Sequence, residues 1–61
     1  MIMENLPKDP FILLSTVNTW LRDSYPSLDE LCADRGVDRD ALVAALAAAG
    51  FEYMPAINQF R

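Results

Sequence analysis

Gly36 constrains this chain more than any other residue, because a complete set of helix signals stands on each side of it. Before it, Ser27 and Glu30 have the SxxE spacing of a capping box, so a helix starts at Leu28. Glycine takes the left-handed conformation that closes a helix at low cost, which predicts a stop at Arg35. After it, Asp38 is placed to cap the next helix. Val37 and Leu42 occupy the positions of a hydrophobic staple that sets its angle of approach. That helix ends at Gly50 by the same glycine rule. So little chain between two helices rules out a relaxed antiparallel hairpin and predicts a steep crossing, a helix-turn-helix. Counted from Leu28, Leu31 and Leu42 fall at its apolar positions and Cys32 at a position for a small residue. Arg35 fits less well, since a side chain facing the partner helix should be apolar.

Two helices meeting at a corner need a third surface to close a core. Asp9 and Pro10 read as an N-cap and first helical position, and Pro26 stops the helix they open, so the first helix is expected over residues 9–25. On a helical wheel Leu13, Leu14, Val17, Trp20 and Leu21 share a face, with Phe11 and Tyr25 at its margin. Ile12 points among the polar residues, toward either the N-terminal arm or another chain. Asn18 lies at the edge of the apolar face, where its amide is expected to bond backbone, because a buried unpaired amide costs roughly 1–3 kcal/mol.

The helices are expected at residues 9–25, 27–35 and 38–49, preceded by an extended arm over 1–8. In the last helix Leu42, Ala45, Leu46 and Ala49 form the inward stripe; Asp40, Val43, Ala44 and Ala47 face outward, with Ala41 and Ala48 at a margin. Residues 51–60 change character, with Phe51 and Tyr53 alternating with Glu52 and a turn at Pro55. They read as a short hairpin or two extended pieces packed on the helices. The fold expected is mainly α, a three-helix bundle with a helix-turn-helix core and a C-terminal β-hairpin or extended tail, winged-helix-like in order.

Composition narrows the chemistry. A chain of 61 residues makes one domain. At that size only about 60% of the unfolded chain's surface is buried, so such a core needs outside help or dense packing. The single cysteine excludes an internal disulfide and agrees with a reducing cytoplasm. The absence of histidine removes the usual general base and the commonest metal ligand. Both glycines serve as helix stops, so no phosphate-cradling loop remains, and there is no GxSxG. No catalytic residue, cofactor or small-molecule ligand is expected. The N-terminus has no basic region and the run Phe11–Leu14 is short, so neither a signal peptide nor a membrane span is expected.

The segments LPKDPFILLS (Leu6–Ser15), LRDxYxSLDELC (Leu21–Cys32), GFEY (Gly50–Tyr53) and NQF (Asn58–Phe60) together resemble a family of short bacterial proteins, the domain-of-unknown-function family number forty-two fifty. The resemblance covers nearly the whole chain and implies no substrate, cofactor or catalytic residue. The chain is most individual at Ala41–Ala49, alanine-rich where the family is mixed and charged.

Two functions stand as expectations. The first is a non-enzymatic interaction or regulatory module that pairs with itself as a homodimer, or with another protein, through Ile12, Asp40, Val43, Ala44 and Ala47. A smooth alanine and valine face admits a second helix closely, although alanine's helix propensity alone also accounts for the run. The alternative is DNA binding through Arg35 and Arg39. It is disfavoured by Asp34, Asp38 and Asp40 beside them and by the net charge of −4. Those aspartates lack the alternating spacing of a calcium loop and read as capping and solvated charge. Cys32 reads as buried filler and Trp20 as core.

Overall fold

The structure, a computed structural model, describes residues 7–61; most of the arm expected over 1–8 lies outside the described residues. Three helices, α1 (Pro10–Asp23), α2 (Leu28–Arg35) and α3 (Arg39–Ala47), are followed by β1 (Tyr53–Met54) and β2 (Gln59–Phe60). The chain is mainly helical with a short antiparallel hairpin after the third helix, and of the two forms expected for the tail the hairpin is the one found.

Each helix begins where a side-chain oxygen replaces a missing backbone acceptor. Asp9 Oδ1 accepts from the amides of Phe11 (2.8 Å) and Ile12 (3.3 Å). Ser27 Oγ accepts from Glu30 N at 3.2 Å, and Asp38 Oδ1 accepts from Asp40 N (3.0 Å) and Ala41 N (3.3 Å).

The stops are equally local. Gly36 has φ 67° and ψ 34°, in the left-handed region, and Val37 N returns to Cys32 O at 2.9 Å. Gly50, at φ 91°, closes α3 by the same device: Phe51 N reaches Leu46 O and Gly50 N reaches Ala47 O, both at 2.9 Å. The regular helix stops earlier than expected, at Ala47, because Ala49 N turns to Leu46 O at 3.1 Å and tightens the last turn toward a 3₁₀ form. At the end of α1, Ser24 N and Tyr25 N both donate to Trp20 O (2.8 and 3.1 Å). This helix also ends short of Tyr25, since Pro26 disfavours helical backbone at the residue before it.

The core gathers Leu13, Val17 and Leu21 of α1, Leu28, Leu31 and Cys32 of α2, Val37 of the corner, Leu42 and Leu46 of α3, and Phe60. Phe60 is 2% exposed and is the largest of the fully buried side chains.

The hairpin is tied to α1 through alternation of its ladder. Tyr53 pairs with Phe60 and Met54 with Gln59, and beyond them Glu52 and Arg61 exchange both backbone bonds (2.9 and 2.8 Å). In an antiparallel pair, bonded and non-bonded pairs alternate, so the N–H and C=O of Phe60 point away from β1. They meet the Asn18 side chain: Phe60 N donates to Oδ1 at 2.8 Å and Nδ2 donates to Phe60 O at 3.1 Å. One amide on α1 thus closes the free edge of β2 as a third strand would. The bonds expected of Asn18 are these.

Candidate functional site

The face singled out on α3 is partly where the sequence put it. Asp40, Ala44 and Ala47 are exposed, and Ala48 joins them. Val43 is a correction: it is half-buried and packs against the core rather than facing out. It lies three residues before Leu46, one helical turn away on the same side, and a short helix held against neighbours on both flanks buries a wider arc than its leucines alone mark.

On α1, Ile12 is 55% exposed and Phe11 65%. Phe11 makes an edge contact with Phe51, ring centroids 5.8 Å apart and planes at 81°, which brings the start of α1 to the end of α3. The sequence placed Phe11 only at the margin of the buried face. Its wheel angle was the available signal, but the partner ring came from the far side of the chain.

The two arginines considered for DNA contact are both engaged within the fold. The Arg35 guanidinium lies 3.7 Å from the centre of the Trp20 ring and 6.0 Å from that of Tyr25. This accounts for a charged residue where an apolar one was expected, because the flat guanidinium stacks on the aromatic face. Arg39 pairs with Asp29 across the corner at 2.8 Å. Of the aspartates, Asp38 is a cap and Asp34 accepts a 2.6 Å hydrogen bond from the Tyr25 hydroxyl, so the N-terminal turn of α3 presents Arg39, already paired, and Asp40.

The Tyr25 phenol is raised from its ordinary value of 10.0, first by donating to Asp34 and then by partial desolvation. A raised value means that the contact stabilises the fold fully below the ordinary phenol range. That contribution is lost as pH rises through the folded-state value. Phenolate absorbance should therefore titrate at lower pH in Asp34→Ala than in the parent; superimposable curves would remove the Tyr25–Asp34 bond from the account.

Cys32 is 6% exposed, and burial raises its thiol above the usual range, with Arg39 acting in the opposite sense. The native protein should resist alkylation at neutral pH and react at the rate of a free thiol in denaturant. Equal rates in both conditions would place the sulfur at the surface.

Among the described residues no buried side-chain nitrogen or oxygen lacks a partner, and no three of Cys, Asp and Glu gather as metal ligands would. No helix among them is long and apolar enough to cross a membrane. The polar groups of the tail serve the fold: Asn58 and Gln59 both donate to backbone carbonyls of the α1 segment.

A family model described as domain of unknown function (DUF4250) matches residues 7–60, from the residues just before the α1 cap to the buried Phe60. The chain belongs to this family. The DUF4250 match thus spans α1, α2, α3, β1 and β2. Among curated proteins and among solved structures, nothing matches the chain.

Proposed function

We propose that this DUF4250 domain is a non-enzymatic interaction or regulatory module that pairs with a second copy of itself. The observation that supports this is the apolar surface left outside the core among the described residues: Ala44 and Ala47 on α3, Ala48 at its C-cap, and Phe11 and Ile12 on α1. Alanine side chains let a second helix approach closely, and a domain this small gains stability from any partner that binds only its folded form. A cytoplasmic setting suits its single buried thiol.

Size sets the expected strength. A helix the length of α3 covers about 13 Å, and one face of it falls short of the ~800 Å² per partner of a standard interface. Association should therefore be weak, with a dissociation constant on the order of 10–1,000 μM. Sedimentation equilibrium from micromolar to millimolar protein should show a rising average mass. The Ala44→Glu/Ala47→Glu variant should stay monomeric with an unchanged helical spectrum. A strictly monomeric parent throughout that range removes self-association.

The order of two helices joined at Gly36 and followed by a hairpin supports a second reading, DNA binding with α3 as the reading helix. Against it stand the engagement of Arg35 and Arg39 and the acidic groups around them. Binding to random duplex at low salt would revive that reading, and its absence there would end it.

A further inference from the structure

We draw no further inference here: the strongest candidate, the shallow depression between the N-terminal turns of α2 and α3 and the hairpin, lined by Ser27, Leu28, Asp29, Arg39, Tyr53 and Pro55, offers helix N-termini whose neighbouring cation is already held by Asp29, and no second observation points to a ligand there.

Discussion

Phe60→Ala should either unfold the chain at 25 °C or lower its melting temperature severely. Truncating a buried phenylalanine typically costs about 3–5 kcal/mol, combining lost transfer energy with the cavity left behind. A domain of this length holds only about 3–9 kcal/mol in total at roughly 0.05–0.15 kcal/mol per residue. Phe60 is the largest fully buried side chain, and it touches the Tyr53 ring at 5.4 Å between centroids. Its loss also loosens the strand whose backbone Asn18 holds. Circular dichroism should show most of the helical signal gone, or a melt displaced downward by more than about 12 °C, at 4–8 °C per kcal/mol for domains of this size. Phe60→Leu, which keeps most of the volume, should retain a cooperative transition. A Phe60→Ala melt within a few degrees of the parent would mean that the hairpin is an accessory laid over a self-sufficient helical core.

Asn58 should show the next largest effect, and two substitutions separate its two roles. Its backbone has φ 54°, and among the described residues it is the one non-glycine with positive φ. Its side chain donates to Leu21 O (3.1 Å) and Tyr25 O (2.9 Å) and accepts from the Tyr53 hydroxyl (2.7 Å). That hydroxyl in turn accepts from Leu28 N at 3.3 Å, so one amide joins the end of α1, the hairpin and the start of α2. Asn58→Gly keeps the backbone conformation at no steric cost and removes the bonds, which should destabilise by about 2–3 kcal/mol at this half-buried position. Asn58→Ala adds left-handed strain of about 1–2 kcal/mol. Urea denaturation should therefore rank the parent above Gly above Ala. Equal midpoints for the two variants would remove the strain argument, and a Gly variant within about 0.5 kcal/mol of the parent would remove the hydrogen-bond argument.

These two residues also mark where reading the sequence stops. Phe60 was legible as an aromatic that had to pack somewhere, and Asn58 as part of the tail, but neither carried a sign of its destination. Asn18 was nearer the mark: its place at the edge of an apolar stripe called for backbone partners, and only the fold showed these to be the amide and carbonyl of Phe60, 42 positions away. Arg35 went the same way, its misfit at a position where an apolar side chain is expected being visible and the Trp20 ring that resolves it not. On α3 the leucine stripe was right, whereas Val43 was assigned outward because a wheel gives an angle and not the width of the surface standing opposite.

By itself the sequence determined where the helices start, where they turn and which leucines face inward. Caps and left-handed glycines act within a span of about five residues, so their physics is complete in the local string. The tertiary structure alone decided that the tail supplies a core side chain, that a single asparagine on α1 stands in for a strand, and that both corner arginines are occupied. Such contacts join residues far apart in the chain, and their partners are selected by how the elements pack rather than by anything the neighbouring residues encode.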